Sequence, residues 1–126
     1  MTDYLKDLKY DSKYLWLKIK GDEATVGIIK PAADLANEFV FIQLPEKGRI
    51  KKGDKLFSIE AMKWSGEVES PITGQIVDVN DSLFDEPAII NADPYGDGWI
   101  AKIKLTNKDE LQDLLDSKQR EKFKNE

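Results

Sequence analysis

The chain contains no cysteine and no histidine. Without cysteine there are no disulfides, no thiolate zinc cluster and no thiol nucleophile on the polypeptide. Without histidine the chain lacks the side chain that titrates near neutrality and does most general acid–base work, which excludes a serine–histidine hydrolase. Redox or acyl-transfer chemistry would have to arrive on a prosthetic group. Arginine is scarce as well, present only as Arg49 and Arg120. The net charge of -5 argues against nucleic acid as a partner, since phosphate contacts need a basic face. No apolar run approaches the roughly 18 residues of a membrane-spanning helix. Met1 to Asp7 lacks the basic start and apolar stretch of a signal peptide, so a cytoplasmic protein is expected, with no membrane partner.

What remains is a chain of 126 residues, 40% hydrophobic, long enough for one domain with its own core. Tyr14 to Lys20 alternates apolar and polar residues, turns at Gly21-Asp22, and is answered by Ala24 to Ile29, which reads as a hairpin. Pro31 suits the first position of a short helix ending near Asn37. Strands are expected over Glu38–Leu44, Lys55–Ile59, Gln75–Val79 and Trp99–Leu105. Turn clusters surround Ile89-Ile90, and Trp16 and Trp99 are expected in the core. After Leu105 the period changes. Asn107 can cap a helix with Leu111, Leu114 and Leu115 on one face, and a second helical piece from Ser117 takes in Phe123. The expected fold is mainly β with C-terminal helices, a flattened β-barrel or sandwich. It forms a single domain over 1–126, with a core at about 10–105 and a helical segment at about 107–124.

Lys63 carries the most information. Apolar alternating runs flank Glu60-Ala61-Met62-Lys63-Trp64-Ser65-Gly66-Glu67, which places the lysine at a hairpin tip. A lysine there is exposed and reachable by another enzyme. It suits either a plain solvated turn or a covalently modified side chain that moves between active sites. The carboxylates Asp85, Glu86, Asp93 and Asp97 lie among Pro and Gly without the ligand spacing of a calcium loop, and read as solvated turns.

The order of these segments resembles the H-protein of the glycine cleavage system, a family of lipoyl carriers. The matching blocks include Ala24–Ile28, Phe39–Pro45, Lys52–Asp54, Ile59–Lys63, Ser70–Asn80 and Ile90-Asn91 through Lys104. The resemblance implies a lipoyl-type barrel-sandwich fold, with lipoate amide-linked to Lys63. It gives Glu60 and Gly74 as the residues that mark the lysine for modification. It implies a non-catalytic carrier that serves as a substrate of partner enzymes. Those partners would be a lipoate ligase or lipoyl transferase, with the decarboxylase, aminomethyltransferase and dihydrolipoyl dehydrogenase of glycine cleavage. Glu60-Ala61-Met62-Lys63 also reproduces the start of a biotin-carrier signature, although Trp64 breaks it and the chain runs on well past the lysine.

Two positions depart from the family pattern. Tyr14-Leu15-Trp16 stands where His-Glu-Trp is usual, and Leu35 aligns with an arm-holding histidine; Glu67 keeps a usual acid. With Leu15, Leu35, Glu67 and Trp64 around the arm, the cleft is expected to be apolar and poorly suited to a primary amine. That expectation favours the lipoate-binding branch serving a heterodisulfide-reductase-like complex of sulfur oxidation, with ordinary glycine cleavage as the alternative.

Overall fold

The computed structural model describes residues 5–122. Among the described residues nine strands form two antiparallel sheets: β1 (Lys9–Tyr10), β2 (Leu15–Lys20), β3 (Glu23–Ile28), β4 (Phe39–Gln43), β5 (Gly48–Ile50), β6 (Lys55–Ala61), β7 (Ser65–Glu69), β8 (Gly74–Val79) and β9 (Ala101–Leu105). One sheet runs β1-β2-β3-β9-β8-β5 and the other β4-β6-β7. The helices are short: α1 (Lys30–Ala36), α2 (Ser82–Asp85), α3 (Ile89–Ala92) and α4 (Ser117–Lys122). This is the expected mainly-β sandwich with helices at its C-terminal end.

Alternation explains how β2 serves two cores. Leu15 and Leu17 point into the main core with Val26, Phe57, Ile59 and Ile103. Trp16 points the other way, into a smaller cluster with Leu8, Tyr10 and Ile29. Its indole N–H donates to the Pro94 carbonyl at 2.9 Å. The ring lies so close over Gly27 that a Cβ there would sit 2.5 Å from it, which is why the facing strand carries glycine. Trp99, expected in the core, is only half-buried, with the Lys102 ammonium 5.1 Å from its ring centre.

The C-terminal expectation holds only in part. The Asn107 side chain does cap, accepting from the Asp109 N–H at 3.2 Å, but Lys108–Asp113 is a 3₁₀ helix. It stops at Leu114 because Leu115 is drawn into a bridge with Tyr10, exchanging two backbone bonds of 2.8 Å. The helix from Ser117 forms as α4, and Phe123 lies outside the described residues. Arg120 of α4 is buried and donates to the Lys13 carbonyl at 2.9 Å, fastening α4 to the segment that leads into β2.

Candidate functional site: the Lys63 hairpin

β6 and β7 pair antiparallel, with Glu60 opposite Ser65 and Ile59 opposite Gly66, so Ala61 to Trp64 makes the tip. The turn closes by a 2.7 Å bond from the Ala61 N–H to the Trp64 carbonyl. Lys63 is exposed and Met62 is 70% exposed.

The tip is fixed by its backbone rather than by the lysine side chain. The Met62 and Lys63 N–H groups donate to the carbonyls of Glu38 and Ala36, each at 3.0 Å. Those carbonyls flank Asn37, whose φ of 65° and ψ of -155° lie outside the left-handed helical region, a backbone conformation costly for any residue with a side chain. Asn91 of α3 holds this link from behind. Its amide donates to the Asn37 carbonyl at 2.7 Å, and its carbonyl accepts from the Phe39 N–H at 3.0 Å. An arm attached to such a lysine has a rigid base and a free end, so the geometry fits a covalently tethered group.

Trp64 is half-buried and stacks at a tilt on Tyr14, ring centres 5.3 Å apart. Tyr14 leads into a cleft of about 490 Å³ under the hairpin, walled chiefly by Asp11, Lys13, Lys55, Glu67 and Glu69. Glu67 faces Lys55 at 3.6 Å and Glu69 faces Lys13 at 3.5 Å, both pairs largely exposed and weak. Asp11 is half-buried. Desolvation pushes its carboxyl above the usual carboxylate range, although it accepts from the Leu15 and Lys13 N–H groups at 2.9 Å and feels the Arg120 charge.

The expected residues divide. Lys63, Trp64, Glu60 and Glu67 lie on the hairpin, and Glu60 is exposed on the face it shares with Phe41. Gly74 lies in the other sheet, buried between β5 and β9. A Cβ there would collide with the Lys104 carbonyl oxygen, so this glycine permits strand packing and offers no surface to a modifying enzyme.

Leu15 does not line the cleft. It is fully buried in the main core, on the face of β2 that Leu17 shares. Leu35 is 80% exposed on α1 and is not part of the cleft wall. The cleft beneath the hairpin is walled by charged residues and by neither leucine; Leu35 stands instead beside the tip, next to the Ala36 carbonyl that holds the Lys63 N–H. The lining residues missed from the sequence are Tyr14, Asp11, Lys13, Lys55 and Glu69. Only Tyr14, next to Leu15 in the aligned segment, stood close to a signal that could have found it.

Residues 8–126 match the family described as Glycine cleavage H-protein. The chain belongs to the glycine cleavage H-protein family. It is 42% identical over 123 residues to the mitochondrial glycine cleavage system H protein of Pisum sativum, covering 97% of this chain and 74% of that one. To the glycine cleavage system H protein of Thermotoga maritima it is 41% identical over 120 residues, covering 94% and 97%. The crystal structure of a glycine cleavage system H protein from Mycobacterium marinum superposes with a TM-score of 0.83 at 32% identity, covering 92% of this chain and 94% of that one. H-proteins are carrier subunits with lipoate covalently attached to a lysine, so lipoate, not biotin, is the group to consider here.

Proposed function

We propose that this H-protein carries the aminomethyl group of glycine cleavage on a lipoyl arm attached to Lys63, and that it passes between the decarboxylase, the aminomethyltransferase and dihydrolipoyl dehydrogenase. The observation that carries this reading is the charged cleft beside the hairpin. Three carboxylates, those of Asp11, Glu67 and Glu69, stand on its wall. Desolvating a primary ammonium is costly unless hydrogen-bonded anions offset it, and this wall sets three carboxylates against the two ammonium groups of Lys13 and Lys55, an excess of one negative charge. The sulfur-carrying alternative rests on an apolar cleft built by Leu15 and Leu35, and neither residue lines the cleft.

When attached, the lipoyl group supplies the dithiol that a cysteine-free chain lacks. The chain's own residues do the rest. The Ala36 and Glu38 carbonyls fix the tip, Tyr14 and Trp64 offer an apolar rest beside it, and Glu67 meets the positive cargo. The polypeptide by itself is expected to show no substantial turnover.

A reconstituted glycine cleavage system containing the lipoylated chain tests the reading. Wild-type protein should support glycine decarboxylation and aminomethyl transfer. Glu67→Gln should release the aminomethyl group to solvent faster, by about threefold to tenfold, as expected for losing one partly exposed charged contact of about 1 kcal/mol. Failure of the wild type, together with turnover by a sulfur-oxidising heterodisulfide-reductase-like complex, would reverse the assignment.

A further inference from the structure

Seven large hydrophobic side chains are exposed among the described residues, and five of them gather on segments joined to the Lys63 hairpin: Leu35, Val40, Phe41, Met62 and Phe84. Leu35 precedes the Ala36 carbonyl that holds the Lys63 N–H, and Met62 is in the tip itself. Val40 and Phe41 lie on β4, which pairs with β6, and the Phe84 ring of α2 meets Phe41 edge-on at 6.4 Å. A register shift between Phe39 and Phe41 breaks the alternation of β4, so two consecutive apolar residues face out while Phe39 and Ile42 stay buried. Single exposed apolar side chains are ordinary. A cluster marks a contact surface.

The segments that carry this cluster are poor in basic residues. No lysine or arginine occurs between residues 31 and 46, and between 56 and 101 the only one is Lys63. The same segments expose Asp34, Glu38, Glu60, Asp85 and Glu86. Lys30, at the start of α1, lies 2.8 Å from Asp34. Lys55, at the end of β6 far from the tip, bonds Gln43 of β4 at 3.1 Å and faces Glu67 at 3.6 Å; nearer the tip, Lys63 apart, the face is apolar with an acidic rim.

We infer that this face seats the enzyme that joins the lipoyl group to Lys63, through an apolar depression on that enzyme rimmed by lysine or arginine side chains. The inference rests on Lys63 as the attachment residue and not on the cargo carried later. Before modification the chain has no long arm, so the lysine can enter an active site only if the enzyme's surface closes over the hairpin and its neighbours. Later partners can be reached by the arm; the attaching enzyme must touch the protein. In the reaction the neutral amine attacks the acyl carbon of a lipoyl group activated by ATP. Activation forms a lipoyl adenylate and releases pyrophosphate; the C–N bond then forms as the acyl–phosphate oxygen bond breaks, AMP leaves with that oxygen, and the nitrogen gives up its proton to solvent.

The test uses the unmodified chain with a lipoate–protein ligase, lipoate and ATP, reading the KM for the chain and kcat separately. Phe84→Ser, and Phe84→Ser combined with Phe41→Thr, should raise KM by about fivefold or more with kcat within about twofold, the loss expected of an interface anchor. Phe84→Leu should restore most of the affinity. Glu38→Gln with Glu60→Gln should raise KM and flatten its dependence on salt. Val77→Thr, on the other sheet, should change nothing. The Phe84 variants change an exposed ring on a short surface helix, so thermal melts should match wild type. Product formed on Lys63→Arg would overturn the attachment residue. No product on Lys63→Arg, with wild-type KM in the Phe84 and Phe41 variants, would overturn the docking face alone.

Discussion

At the scale of single residues, position 15 shows how a sequence signal can be read and then overruled. Leu15, Leu17 and Ile19 alternate, and that period alone assigns Leu15 to the core, where it is found. Alignment with an acidic family position set that signal aside and placed Leu15 at the arm. Asp11, on the cleft wall, carries a testable pH dependence. Burial raises its folded pKa above the unfolded value, so the ionised carboxylate costs stability at neutral pH. That cost is fully present above the raised folded pKa and disappears as pH falls through it towards the unfolded value of 3.8. Asn can still accept from the Leu15 and Lys13 N–H groups. Asp11→Asn should therefore melt no lower than wild type at pH 7, and the two curves should converge near pH 4. An Asp11→Asn protein that melts below wild type at pH 7, with the difference closing on acidification, would show that the Arg120 attraction outweighs desolvation.

At the scale of elements, what was legible is what alternates. β2, β3, β8 and β9 lie within a residue or two of the predicted strands because each carries apolar side chains at period two against a core, and β4 does so as a continuous apolar run although a bulge breaks its alternation. α2 and α3, four residues each, were unreadable since such short helices have no period to detect; turn hydrogen bonds hold them. The leucines at 111, 114 and 115 fit an α-helix by spacing, but the bridge to Tyr10 pulls Leu115 out of it. Lys63 was legible as a hairpin tip from local pattern alone, whereas the clamp behind it joins residues distant in sequence. Asn91 stood in a matching block with no assigned role, and its function emerges only where α3 packs behind the α1–β4 link. Asn91→Ala should cost about 1–2 kcal/mol through two lost hydrogen bonds. Amide exchange at Met62 and Lys63 should accelerate beyond the global change seen at Ile103. Asn91→Asp keeps the acceptor for the Phe39 N–H but turns a carboxylate oxygen on the Asn37 carbonyl, and should accelerate exchange at Met62 and Lys63 at least as much as Asn91→Ala. Uniform acceleration at all three amides would make Asn91 an ordinary stabilising residue rather than a brace for the tip.

At the scale of the whole molecule, the two sheets divide the labour. The six-stranded sheet, with Gly74 and Gly27 allowing close strand and ring contacts, contributes to the core and carries little of the candidate chemistry. The three-stranded sheet presents the lysine, an apolar and acidic outer face, and a charged cleft beneath. A family that carries lipoate on a lysine needs that lysine on a stiff base with open surroundings, and Lys63 meets both conditions. The most direct test is peptide mass mapping of the chain made in a lipoate-competent host, wild type beside Lys63→Arg. A single lipoyl increment on the Lys63 peptide, absent from the Lys63→Arg protein, is the expected result. A lipoyl increment on any other lysine, or biotin on Lys63, would contradict it.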